Sequence, residues 1–285
     1  MSAIARFISG FLAFTFLIGC GNNDSDKNNG GNDSTIVTVK DTGKLDELKE
    51  FKYDMVISNI PIPFDILMTL NKSGANYNRS ILNTPSSVSR YSQNNVKAAN
   101  LGIFGGDLAY VITFAQYSEV GSFLQSTKKL ADELGIPIAF DQQALANFNK
   151  YKDNKDSLAK IVFSSYSAVD KTLKSNERLG LASLVVTGGW IEGLYTTTKT
   201  LGNTPKSDAN KALYEKIYAQ HTHLEKLIAL LGEFSSGDKF YADMIRDMNI
   251  LKALYDSVKV KEDMSQEEVV AITTKIGEIR NNLVK

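Results

Sequence analysis

Two acidic side chains lie inside the two most apolar segments of the chain. Asp107 interrupts segment 96–117, and Glu192 interrupts segment 179–201. A buried carboxylate must be paired, hydrogen-bonded or protonated, because a low-dielectric surrounding penalises its charge. If both segments are central helices, we expect the two acids to face one cavity. The alternative is that each acid belongs to a buried polar network or reaches the rim of a helical bundle.

Three aromatic residues near these acids complete a candidate ligand-binding site. Tyr110 follows Asp107 in the first segment, and Trp190 and Tyr195 flank Glu192 in the second. Large aromatic side chains with a polar atom are suited to lining a ligand pocket, although on a buried helix they more often fill the core. We therefore expect either a small pocket between the two segments or a solid core.

The two histidines do not predict a metal site. His221 and His223 are two residues apart on a predicted helix, about 200° around its axis, so they cannot bind one ion together. His221 and Glu225 are four residues apart and are expected to pair on the surface. The sequence predicts no metal and no cofactor.

No catalytic motif is visible in the sequence, which therefore predicts a protein that is not an enzyme. The Gly-x-Ser-x-Gly pattern of a serine nucleophile does not occur, and neither phosphate-binding glycine pattern is present. With 32 basic and 32 acidic residues among 285, the chain has no excess of positive charge for nucleic acid. One cysteine excludes an internal disulfide.

That single cysteine ends a short apolar run at the start of the chain. Residues 7–18 are apolar over about a dozen positions, fewer than the roughly 20 of a membrane span. The run closes with Leu17-Ile18-Gly19-Cys20, which resembles the lipobox of bacterial lipoproteins. The resemblance implies that residues 1–19 are a signal peptide and that Cys20 carries acyl chains that bind the membrane.

A polar tract follows the cysteine at once. Residues 21–33 contain no apolar side chain, so residues 20–43 are expected to form a flexible tether. By the same resemblance, Gly21 after Cys20 disfavours retention in the inner membrane and implies the outer membrane, on either face. Together with the helical body, the lipobox and tether resemble uncharacterised helical lipoproteins of the Bacteroidota.

The remaining residues, 44–285, carry the periodicity of helices. Apolar residues recur every three and four positions, which predicts an all-α domain of roughly nine to eleven helices arranged as antiparallel hairpins. The last part, 206–285, is expected to form three of them. Ser265 with Glu268 predicts a capping box, and Ser207 or Asp208 is expected to cap the first of the three.

Small residues recur at helical spacing in both apolar segments. Ala98, Gly102 and Gly106 are four apart, as are Gly189 and Gly193. Since glycine inside a helix costs about 0.5–1 kcal/mol, this spacing predicts close approach of a neighbouring helix. The two segments also align at their Gly-Gly pairs, 105–106 and 188–189, which suggests an internal duplication of a helical hairpin or a chance similarity of buried helices.

These observations predict a lipid-anchored cell-envelope protein with a helical binding or scaffold domain. The alternative is a lipoprotein that binds a small molecule in a pocket between the two glycine-bearing helices. An envelope protein or a small molecule is the expected partner in addition to the membrane.

Overall fold

The computed structural model describes a helical domain. It covers residues 50, 53–54, 63–136, 146–148, 150–151, 154–202, 204–260 and 264–285. The predicted signal peptide, Cys20 and the tether lie outside these residues. The sequence also predicts two further helices, one that begins at Leu45 and one at Asp141. Most of their positions lie outside the described residues, although 53–54 and 146–148 are helical.

Eight α-helices have defined bounds within the described residues, and no strand occurs among them. The all-α prediction is confirmed. The helices are α1 Pro63–Lys72, α2 Asn94–Thr113, α3 Tyr117–Glu133, α4 Lys155–Ser175, α5 Leu179–Leu201, α6 Lys211–Gly232, α7 Lys239–Asp256 and α8 Gln266–Leu283. Two short 3-10 helices, Arg79–Ile81 and Pro85–Arg90, lie between α1 and α2.

Helices α2 and α5 form the centre of the fold. Every residue from Ala98 to Thr113 is buried, and α5 is buried on nearly all sides. A helix that is apolar around its whole circumference can be stable in water only when other helices cover it. Helices α1, α3, α4, α6 and α8 pack on one or both of the central pair, and α7 packs on α6 and α8.

The two central helices run parallel to each other with their backbones in contact. A Cβ atom built at Gly102 would lie 2.6 Å from the backbone nitrogen of Gly189, and one at Gly188 would lie 2.9 Å from the carbonyl carbon of Ala99. Further along, Tyr110 bonds to Thr200. Contacts that advance in the same direction along both helices define a parallel pair. The predicted close approach is therefore present at the glycines.

Several helix ends lie where local sequence signals place them. Ser265 and Glu268 form the predicted capping box, and Asp238 caps α7 by accepting from the amide of Phe240 at 2.8 Å. Gly135, with φ +73°, follows α3. The prediction that Ser207 or Asp208 caps α6 was wrong. The helix begins at Lys211, because Asn210 before it bonds back to Ser207 and Pro205.

Candidate functional site

The two acids of the central helices are brought together. Asp107 on α2 and Glu192 on α5 both have an exposed fraction of 0%. Gly106 makes the approach possible, because a Cβ atom there would lie 2.6 Å from the Cβ of Glu192. The glycine spacing that predicted close helix packing thus also makes room for the stem of the buried glutamate.

Glu192 forms a two-point ion pair with Arg280 of α8. The Nε of Arg280 donates to Oε2 of Glu192 at 2.7 Å, and Nη2 donates to Oε1 at 3.1 Å. Nη2 also donates to the carbonyl of Ile81 at 3.3 Å, and the guanidinium carbon lies 4.5 Å from the ring centre of Tyr195. Burial, the largest single effect, acts to lower the pKa of Arg280, but the charge and the hydrogen bonds of Glu192, together with smaller effects of Asp107 and Tyr195, raise that pKa.

Asp107 is held by a different set of groups. Its Oδ2 accepts from the backbone amide and the side-chain amide of Asn83, at 3.3 and 2.8 Å. Burial raises the pKa of Asp107 well above its ordinary value, and the charge of Glu192 raises it further. Arg280 and Asn83 oppose this shift only in part. Burial beside a second carboxylate therefore favours the protonated form of Asp107.

In the protonated form, the second carboxyl oxygen of Asp107 can donate a hydrogen bond. Oδ1 is shielded from solvent and receives no hydrogen bond from a donor among the described residues. A proton on this carboxyl group can be donated to the neighbouring carboxylate of Glu192. The cluster then holds one guanidinium, one carboxylate and one neutral acid, and it carries no net charge.

Of the three aromatic residues predicted for the site, only Tyr195 joins the acids. Its ring packs under Arg280, and burial, the largest effect, raises its pKa. Trp190 is buried elsewhere, where its Nε1 donates to Oε1 of Gln220 on α6 at 2.9 Å. Trp190 and Glu192 are two positions apart on α5, so they point about 200° apart.

Tyr110 belongs to a second cluster near the ends of α2 and α5. Its hydroxyl lies 2.8 Å from Oγ1 of Thr200 and accepts from the amide of Asn78 at 3.1 Å. Its ring packs on Phe114 and Tyr77, with ring centres 4.7 and 5.5 Å away. The five predicted residues therefore do not line one site, because their side chains point in different directions.

Two residues of the acid cluster were not predicted from the sequence. Arg280 lies on the apolar face of α8, between Ile276 and Leu283, and a charge within an apolar stripe is a signal that it is buried and paired. Asn83 lies between the two 3-10 helices and has no comparable signal, because its role depends on the path of a loop.

The polar groups of this cluster bind one another and the backbone inside the core. All three charged or titratable groups are buried, and the hydrogen bonds described above link them to each other and to the backbone. In this conformation they do not meet a molecule from solvent. The arrangement fixes how α2, α5 and α8 pack together and offers no exposed acid or base for catalysis.

Comparison with known proteins identifies no relative. No family model matches the chain, and no curated protein and no solved structure matches it. Within the described helices, none has both the length and the apolar character that crossing a bilayer requires. The lipoprotein resemblance thus stays a prediction based on the residues around Cys20.

Proposed function

We propose that this protein is a lipid-anchored component of the bacterial cell envelope whose helical domain acts as a binding or scaffold module. Cys20 would carry the acyl chains, residues 20–43 would form the tether, and residues 44–285 would form the domain. The outer membrane is the proposed location.

The observation that carries the proposal is the position of the chain's single cysteine. Cys20 directly follows a short apolar run and directly precedes a tract without apolar side chains. Each buried methylene of an acyl chain contributes roughly 0.8 kcal/mol to membrane binding, so two or three chains anchor a domain stably where one does not. A polar tether then separates the domain from the lipid surface.

The packing of the domain supports a role exercised at its surface. The titratable groups Asp107, Glu192 and Arg280 in its interior are buried, and the charges of Glu192 and Arg280 neutralise each other. At Gly102 and Gly188 the backbones of α2 and α5 already touch, which leaves no space for a ligand at those points. The alternative of a small-molecule pocket between these helices gains no support from their packing.

Lipidation is tested by metabolic labelling with an alkyne fatty acid in a Gram-negative host. We expect the wild-type chain to take up the label, to shift to lower apparent mass on processing and to fractionate with membranes. Cys20→Ala should lose the label and the processing. Ser25→Ala, which replaces a polar residue of the tether, is the matched control and should behave as wild type.

Protease treatment of intact cells then separates the two membrane faces. Digestion of the labelled protein in intact cells indicates a domain outside the cell, and the search for partners moves to extracellular ligands. Protection until lysis indicates the periplasm and favours a scaffold. If wild type and Cys20→Ala are both unlabelled and soluble, the lipoprotein proposal is overturned.

A further inference from the structure

A second group of titratable side chains lies on the outer face of α6 and α7. His221 and Glu225 are one turn apart on α6, and Asp256 is the last residue of α7. Their ligand atoms, one imidazole nitrogen and two carboxylate oxygens, all lie within 4.8 Å of one another. The pairing of His221 with Glu225 was expected from their spacing. Asp256, 31 positions after Glu225, is added by the packing of the two helices.

The imidazole of His221 is held in a fixed orientation toward the two acids. Its ring stacks on Tyr255 with ring centres 5.5 Å apart and an interplanar angle of 3°, and only 20% of the side chain is exposed. Its Nε2 is shielded from solvent and faces the two acids. This nitrogen lies 2.9 Å from Oδ1 of Asp256 and 3.8 Å from Oε1 of Glu225.

These distances suit atoms that share a central ion. Ligands about 2.0–2.2 Å from a tetrahedral metal ion lie roughly 3.4 Å from each other, between the two values observed around Nε2. Nε2 of His221 and one oxygen of each acid therefore lie close enough together to bind a single ion.

A lysine side chain lies against both acids of the group. The ammonium of Lys252 lies 2.8 Å from Asp256 and 3.2 Å from Glu225. Without a metal ion, the lysine therefore supplies the positive charge that the two carboxylates need.

We propose that His221, Glu225 and Asp256 bind a divalent transition-metal ion of the zinc type, which displaces the ammonium of Lys252. Imidazole together with carboxylate suits Zn²⁺. Three protein ligands leave a fourth position for water or for a group from another molecule. The site lies at the surface of the domain and is separate from the buried acids of α2 and α5.

The test is a titration of the full chain in detergent with Zn²⁺ against a chromophoric chelator at pH 7.5. We expect one site per chain. Glu225→Gln and Asp256→Asn should each weaken binding by at least about tenfold, because each removes a ligand and even loss of an outer-shell partner weakens metal sites by about 10–100-fold. Lys252→Met should tighten binding, since the carboxylates lose their competing cation.

Matched controls separate this site from adventitious binding. Asp243→Asn removes another acid of α7, one that pairs with Lys239 and Arg246, and His223→Gln removes the other histidine; both should bind Zn²⁺ as wild type does. Mg²⁺ should not compete, because it prefers oxygen ligands in an octahedral arrangement. Circular dichroism without metal checks that each variant is folded.

The outcomes that overturn the proposal are distinct. Absence of saturable binding excludes the site, and so does binding that survives both Glu225→Gln and Asp256→Asn. An unchanged affinity in Lys252→Met would reject Lys252 as the group that zinc displaces. None of these results depends on the acyl chains of Cys20, so the metal site and the proposed lipid anchor are tested separately.

Discussion

At the scale of single residues, the unusual feature is a core that contains two acids and one arginine. Taking an ion pair out of water costs about as much as the pair gains, so the contact of Glu192 with Arg280 need not add net stability. Removing one partner is different, because it leaves an uncompensated buried charge. The raised pKa of Asp107 favours its neutral form, so burying it does not require a charged partner. Glu192, by contrast, is paired as a charge with Arg280.

This inequality predicts opposite results for two isosteric substitutions. Asp107→Asn should keep or exceed wild-type stability at pH 7, because its amide can donate to Glu192 as the protonated acid does while its oxygen still accepts from Asn83. Glu192→Gln should lower the free energy of unfolding by about 3–5 kcal/mol, because it leaves Arg280 buried and unpaired. Urea unfolding measures both.

The comparison contains its own control, since both substitutions turn a buried carboxyl group into an amide of nearly equal volume. Equal destabilisation by the two would contradict the assignment of the proton to Asp107.

The pH dependence of stability follows from the raised pKa of Asp107. The folded state keeps a proton that the unfolded chain releases near pH 4. The contribution of Asp107 is therefore complete below about pH 4 and is lost as the pH rises toward the folded-state pKa. We expect the stability of Asp107→Asn, relative to wild type, to increase above about pH 4 by up to about 1.4 kcal/mol per pH unit.

Denaturant unfolding of both proteins between pH 4 and pH 8 measures this difference directly. Titrations of other residues cancel in the comparison, because the two chains share them. A difference that stays constant over this range would mean that Asp107 titrates normally in the folded state.

At the scale of helices, the contact of α2 with α5 determines the arrangement of the domain. Gly102 lies against Val185, and Gly106 lies against Gly189. In both pairs the positions are 83 residues apart, which is also the offset that aligns Gly105-Gly106 with Gly188-Gly189. Other contacts of the same pair lie at larger offsets, such as Gly106 with Glu192 and Tyr110 with Thr200, so the packing leaves open both the internal duplication and the chance similarity.

Gly102→Ala tests the close packing of these helices. The added methyl group would overlap the carbonyl of Val185 and lie 2.6 Å from the nitrogen of Gly189. Backbone atoms cannot rotate away, so the helices must separate, and we expect a loss of at least about 2 kcal/mol. Thermal unfolding followed by circular dichroism gives the measurement.

Gly121→Ala is the matched control within α3. A Cβ atom there meets nothing within 4 Å, and the helix gains about 0.5–1 kcal/mol when alanine replaces glycine. The same substitution should thus destabilise at one position and stabilise at the other. A stabilising Gly102→Ala would contradict the packing of α2 on α5.

At the scale of the whole molecule, the proposal separates a membrane anchor from a helical body. The predicted tether contains Lys40 near its end, and Lys44 is the first residue of the body, which is held together by one continuous core. Limited trypsin digestion of the full chain should therefore remove the N-terminal part and leave a stable fragment that starts at or after Asp41. Mass spectrometry identifies its first residue.

The fragment should keep the helical circular dichroism and the melting temperature of the full chain. Rapid digestion of the fragment itself, or a clear loss of melting temperature on cleavage, would show that residues before position 41 contribute to the fold.

The sequence by itself determined the helical class and several helix ends, and it indicated Asp107 and Glu192 as candidates for burial. These depend on local patterns: apolar periodicity, caps such as Ser265, and acids set within apolar segments. Only the tertiary structure decided which distant side chains meet. Arg280 is 88 positions from Glu192, and Asp256 is 35 from His221, so each pairing depends on how helices pack. Trp190 and Tyr110 were assigned to the acids because they are close in sequence, but the direction of a side chain from a helix depends on its angular position.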